Sequence, residues 1–208
     1  MKELIQQVNQ LKKTEIKNII DKRMKEFSDL NKMSNEDWFS ELCFCLTTAN
    51  SSQKTGAKIQ NELGFSGYYN LSLKELTIKL KELGHRFYNV RSQFIFEARK
   101  NKNIKEILSQ FNDDFEKRDW LVNNVKGLGM KESSHFLRNT GHNNLAILDR
   151  HIIRALQENK LIPEFKTITK NIYLQSEKVL NKICDKTNLS QGELDLYLWY
   201  TKTGEVLK

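Results

Sequence analysis

Val125-Lys126-Gly127-Leu128-Gly129-Met130-Lys131 sets a lysine just behind two glycines that flank one apolar residue. Leu148-Asp149-Arg150-His151 then places a carboxylate eighteen residues after that lysine. Glycine tolerates positive φ and close backbone approach. Successive amides in such a turn, opening onto a helix N-terminus, can hold a phosphate without reading a base. Gly127 and Gly129 are therefore the candidate phosphate grip. Lys131 falls in the first turn of the next helix, where the positive end of the helix dipole disfavours a second positive charge. Partial burial would act in the same direction and free the amine as a nucleophile. Asp149 follows the apolar run Leu145-Ala146-Ile147-Leu148 and is placed to cap a helix while facing a cleft. There it can take the lysine's proton and steady a cationic sugar. His151 and Arg154, on the helix that follows, are candidates to support it or to touch phosphate. Each part alone has an ordinary reading: a turn between helices, an exposed lysine, an N-cap. Together they are the parts of an enzyme that cuts a base from DNA.

The elements that must position these groups read as helical almost throughout. Residues 2–27 place Leu4, Ile5, Val8, Leu11, Ile16, Ile19 and Ile20 at helical spacing. Ser34-Asn35-Glu36-Asp37 reads as an N-cap opening an apolar helix through Leu46, which ends in the polar loop Thr47–Ser52. Helices are predicted at about 53–63, 72–83, 87–100, 103–111 and 114–124, punctuated by Gly64, Gly67 and Gly84. The glycine hairpin follows, then helices at about 130–139, 150–158, 167–186 and 190–202. The only proline is Pro163, and strand-like alternation is scarce. The expectation is an all-α protein.

Composition narrows the class. The 208 residues carry a net charge of +8, which favours a polyanionic partner such as nucleic acid. Cys43, Cys45 and Cys184 make no disulfide framework and lack metal-cluster spacing, so core packing is expected. No apolar run approaches the roughly 20 residues of a membrane span, and residues 1–5 hold no signal-peptide core. A prokaryotic cytoplasmic, nucleoid-associated protein is expected.

Gly127-Leu128-Gly129-Met130-Lys131 with Asp149-Arg150-His151-Ile152-Ile153-Arg154 resembles the helix-hairpin-helix DNA glycosylase superfamily. Phe44-Cys45-Leu46-Thr47-Thr48-Ala49-Asn50 resembles that superfamily's helix and loop that wedge into DNA. Gly84-His85-Arg86-Phe87-Tyr88, Ser134–Asn139, Leu196–Tyr200 and the ending Val206-Leu207-Lys208 are similar to the archaeal-type 8-oxoguanine DNA glycosylase/AP lyases. The chain departs from the superfamily in lacking a Gly/Pro-rich loop before Asp149, where it reads His142-Asn143-Asn144-Leu145. It also lacks the cysteine cluster of the endonuclease III branch, so no iron–sulfur cluster or other cofactor is expected. Its length leaves no room for the extra β domain of the larger eukaryotic-type enzymes.

The resemblance implies a two-lobed fold with the active site in the cleft between lobes. One lobe would be a helical barrel of 32–148, with the helix-hairpin-helix at about 115–140. The other would join 1–31 to 149–208. It also implies a monomeric base-excision-repair enzyme, a DNA N-glycosylase and AP lyase, acting on double-stranded DNA containing 8-oxoguanine. Lys131 would be the nucleophile and Asp149 its partner. Phe87 and Trp199 would wall the extruded base, and the carboxylate of Lys208 would distinguish 8-oxoguanine from guanine. Asn50 would enter the gap left by the extruded nucleotide. The residues leave two alternatives: an endonuclease III-like glycosylase/lyase for other oxidised bases, and a non-enzymatic DNA-binding protein.

Overall fold

Capping sets the helix borders in this computed structural model, which describes all residues 1–208 as twelve α-helices and one 3-10 turn, with no strand. The helices are α1 Lys2–Leu11, α2 Ile16–Lys32, α3 Asn35–Thr48, α4 Gln53–Asn70, α5 Leu73–Glu82 and α6 Tyr88–Ala98. Then follow α7 Ile104–Leu108, α8 Asp114–Asn124, α9 Met130–Asn139, α10 Arg150–Glu158, α11 Lys170–Thr187 and α12 Gln191–Thr203. Ser34, Ser72 and Ser190 each close a reciprocal capping box, with Asp37, Glu75 and Glu193 respectively. Asp113, Asp149 and Thr169 cap α8, α10 and α11 through their side chains.

Three of the expected elements differ in detail. The continuous helix over 2–27 is broken at Lys12–Glu15, where the Thr14 hydroxyl donates to the Leu11 carbonyl and accepts from the Ile16 amide. That local bonding competes with the helix ladder and needs no glycine or proline. Gly64 does interrupt α4, at φ 53° and ψ −168°, but helix resumes and runs to Asn70. The helix expected at 103–111 shrinks to Ile104–Leu108.

The buried apolar residues form two clusters. One gathers Trp38, Phe39, Leu42, Phe44 and Leu46 of α3 with Ile59, Leu76, Leu80, Ile95, Leu121, Phe136 and Leu137. The other gathers Leu4, Val8, Ile20 and Phe27 with Ala146, Leu148, Ile152, Leu156, Tyr173, Leu180, Leu194, Leu196, Tyr197 and Leu198. Helix α9 joins them: Phe136 and Leu137 sit in the first cluster, while Met130 packs against the second. The three cysteines are free and buried, as core packing requires, and burial pushes their thiols up. No helix is long and apolar enough to cross a membrane.

Candidate active site

The hairpin between α8 and α9 turns at Gly127. Gly127 has φ +95°, and a Cβ there would come within 2.3 Å of the Phe94 ring. Only glycine fits that backbone and that contact. Gly129 differs: its φ is −97°, and the nearest atom to a Cβ would be the Glu132 carboxylate at 3.5 Å. Nothing inside the protein demands a glycine at 129, so its smallness keeps open the approach to the start of α9. The amides of Gly129, Met130 and Lys131 donate to no protein acceptor. They are the orphan donors of a helix N-terminus, an anion-binding arrangement.

Lys131 and Asp149 line the same cavity, of about 580 Å³. Lys131 is partly buried and its ammonium lies 3.9 Å from the Glu132 carboxylate. The Oδ1 atom of Asp149 accepts from the amides of His151 and Ile152, both at 2.8 Å. Its second oxygen makes no such bond and is free for the cavity. Asp149 thus caps α10 and faces the cleft at once.

Its approach segment is held by side chains from elsewhere. The Ala146 amide donates to Glu177 at 2.8 Å. The Ala146 carbonyl accepts from the Tyr173 hydroxyl at 2.6 Å, and the Leu148 amide donates to the same hydroxyl at 3.3 Å. Buried Arg118 of α8 grips Glu177 through two bonds of 2.7 and 2.9 Å and reaches Ser134 of α9 at 3.2 Å. The helix bearing Lys131 and the segment bearing Asp149 therefore share one buried polar network.

The other sequence candidates divide. Asn50, His151 and Trp199 also line the cavity, with the His151 ring edge-on to Trp199 at 4.9 Å. The Trp199 indole N–H is buried without a partner. Asn50 sits exposed at the end of α3 with a left-handed φ of 58°. Arg91 and Arg86 donate to the carbonyls of Ala49 and Asn50, at 2.8 and 3.4 Å, and His85 bonds the Thr47 carbonyl at 2.7 Å. Burial holds the His85 ring below its ordinary pKa, so neutral His85 donates from Nε2 and its Nδ1 accepts from the Phe87 amide. Phe87 lies outside the cavity lining, with its ring under the Arg86 guanidinium at 4.5 Å. Arg154 is exposed on α10 and also lies off the cavity wall.

The C-terminus folds back onto the site. Leu207 lines the cavity, and an oxygen of the Lys208 carboxyl lies 3.3 Å from Nε2 of His135, another wall residue. Burial drives the His135 pKa well below its ordinary value, so this is a neutral N–H donating to the carboxylate.

Sequence reasoning assigned no role to Asp195 and Arg138, which line the same cavity and form an ion pair with each other. Burial raises the Asp195 carboxyl to about 6, against the pull of Arg138, with Asp149 adding to the rise. Burial also lowers the Arg138 pKa, but from so high a start that the guanidinium stays charged. Their signal was present: a single carboxylate inside Leu194-Asp195-Leu196-Tyr197-Leu198, and a single guanidinium inside Phe136-Leu137-Arg138-Asn139. Charges in apolar helical runs call for partners.

Residues 20–189 match the sequence profile of a family described as 8-oxoguanine DNA glycosylase. An 8-oxoguanine DNA glycosylase/AP lyase of Methanocaldococcus jannaschii is 50% identical over 99% of both chains. The chain belongs to the 8-oxoguanine DNA glycosylase family. Its helix-hairpin-helix architecture is that of family members already solved. The M. jannaschii glycosylase/lyase in complex with a 15mer DNA containing 8-oxoguanine superposes with a TM-score of 0.97, covering 99% of this chain and all of that one. The 8-oxoguanine DNA glycosylase of Thermotoga maritima is 42% identical, with a TM-score of 0.93 over 100% of this chain and 99% of that one.

Proposed function

We propose that this chain removes 8-oxoguanine from double-stranded DNA and then cuts the strand 3′ to the abasic site, with Lys131 as nucleophile and Asp149 as its acid–base partner. The observation that carries this reading is the shared cavity: an amine, a helix-capping carboxylate and a tryptophan open onto one space beside a glycine turn.

The target nucleotide must leave the stack, because C1′ is inaccessible in a duplex. Lys131 then attacks C1′ as the glycosidic C–N bond breaks, and the bond's electron pair leaves with the base. Asp149 accepts the proton that Lys131 sheds and steadies the positive charge that develops on the sugar. Opening of the sugar ring leaves a Schiff base between Nζ and C1′. Loss of a C2′ proton expels the 3′ phosphate by β-elimination, and water releases the lysine.

Gly127 and Gly129 hold a phosphate, and His151 and Arg154 support the DNA side of the site. Trp199 and Phe87 wall the base, Trp199 from within the cavity and Phe87 from outside its lining. Asn50, already in a left-handed turn, fills the space the nucleotide leaves. The Lys208 carboxylate reads the base: it can accept from the N7–H that 8-oxoguanine carries and guanine lacks. The two apolar clusters act as the cores of two lobes, 32–148 and 1–31 plus 149–208, with Ala146 and Leu148 at the boundary reaching into the second core. The protein works as a monomer in the cytoplasm, on the nucleoid.

The test is excision on duplexes carrying either 8-oxoguanine or thymine glycol. Free 8-oxoguanine and a β-elimination product are expected, with the thymine glycol strand intact. Cutting at thymine glycol alone would place the chain with the endonuclease III-like enzymes, and binding without excision would make it a DNA-binding module.

A further inference from the structure

Glu41 is a carboxylate only 1% exposed, in the middle of α3. Burying it requires a cation, and its one ion pair is with the last residue of the chain: Lys208 Nζ lies 2.6 Å from Oε2. The same ammonium donates to Gln60 Oε1 at 2.7 Å and stands 4.3 Å above the Phe44 ring centroid. Gln60 in turn donates to Glu41 Oε2 at 3.1 Å, and Asn139 donates to Glu41 Oε1 at 2.6 Å. The Asn139 oxygen is engaged by Arg138. Both carboxylate oxygens of Glu41 thus act as acceptors facing donors. An amide, with one donor end, cannot replace it without setting donor against donor.

A terminal residue ordinarily frays. Here three α3 and α4 side chains form a fitted socket for its ammonium, while the other end of the same residue meets His135 on the cavity wall. Lys208 is therefore fixed at both ends, and the socket determines where its carboxylate stands.

We propose that Glu41 is a positioning residue for base discrimination: it anchors the Lys208 ammonium so that the terminal carboxylate is held at the edge of the base cavity. This rests on the reading of Lys208 as the group that tells 8-oxoguanine from guanine. The socket gives the ammonium and the carboxylate of Lys208 separate tasks, and they can be separated experimentally. Lys208→Met keeps the carboxylate and removes the anchor. Glu41→Gln keeps Lys208 and removes its counter-charge.

The experiment measures kcat/KM for excision of 8-oxoguanine and of guanine opposite cytosine, together with cleavage of a duplex holding a preformed abasic site. A misplacement of about 1 Å can cost up to about 10²-fold, so a loss of roughly tenfold in selectivity is expected for either variant. Glu41→Gln should retain abasic-site cleavage, which general unfolding would remove. The double variant should lose no more selectivity than the worse single one, because both act through the same anchor. If Glu41→Gln keeps wild-type selectivity while a chain lacking Lys208 loses it, the socket is irrelevant and the carboxylate still reads. If the chain lacking Lys208 also keeps it, the reading of Lys208 is wrong, and the proposal with it. Should Glu41→Gln not fold, Lys208→Met decides alone, and unchanged selectivity in it overturns the proposal.

Discussion

Asp195 brings a second carboxylate to the cavity that holds Asp149, and it is paired with Arg138 rather than free. Its pKa near 6 lies above the ordinary aspartate value, so folding takes up a proton between the two. The associated stability is fully present below the ordinary value and is lost as pH rises through 6. Up to about 2–3 kcal/mol is involved. Urea midpoints of wild type and Asp195→Asn at pH 4.5, 6 and 7.5 check this. The advantage of wild type over the variant is expected to be largest at pH 4.5 and to shrink toward neutral pH. A difference that does not vary with pH would mean that Asp195 does not titrate there. That Lys131 and Asp149 share a cavity was legible in their residue types and in a spacing that fits one helix and one loop. Asp195, Arg138 and Glu41 were not. Their meaning lies in partners 57 or more residues away, which periodicity cannot show.

The two glycines of the hairpin look alike in sequence and differ in structure. Gly127 combines positive φ with a 2.3 Å clash for any Cβ, whereas Gly129 has ordinary φ and room for a Cβ in ordinary contact with Glu132. Gly127→Ala is expected to cost at least about 2 kcal/mol of stability, from left-handed strain and displacement of Phe94. Gly129→Ala is expected to melt like wild type and to bind duplex DNA more weakly, because its methyl group obstructs the approach to the α9 amides. Melting curves and fluorescence anisotropy on the same two proteins decide it. Equal DNA affinity for Gly129→Ala and wild type would remove the phosphate grip from residue 129. Most helix borders were readable because serine, aspartate and glycine caps mark them. The break at Lys12–Glu15 was not, since a threonine hydroxyl makes it within an unbroken apolar pattern. The kink at Gly64 marked the place but not that helix would resume beyond it.

Across the whole molecule, α9 spans both apolar clusters, and the polar network of Arg118, Glu177, Tyr173 and Ser134 ties it to the segment before Asp149. That is why residues eighteen apart in sequence, carried by separate elements, open onto one cavity. The all-helical architecture was legible from punctuation and pattern, and the resemblance supplied its two-lobed arrangement. The return of the chain's end to its middle was not legible in the pattern, because it depends on Glu41 receiving Lys208. In the proposed reaction Lys131 becomes covalently joined to the sugar during base removal. Borohydride reduces a Schiff base to a stable amine, so it captures that intermediate. Wild type incubated with duplex DNA containing 8-oxoguanine and borohydride is expected to give a covalent protein–DNA band, and Lys131→Gln to give none. Release of 8-oxoguanine by wild type with no covalent band, or a band of equal strength from Lys131→Gln, would rule out Lys131 as the nucleophile.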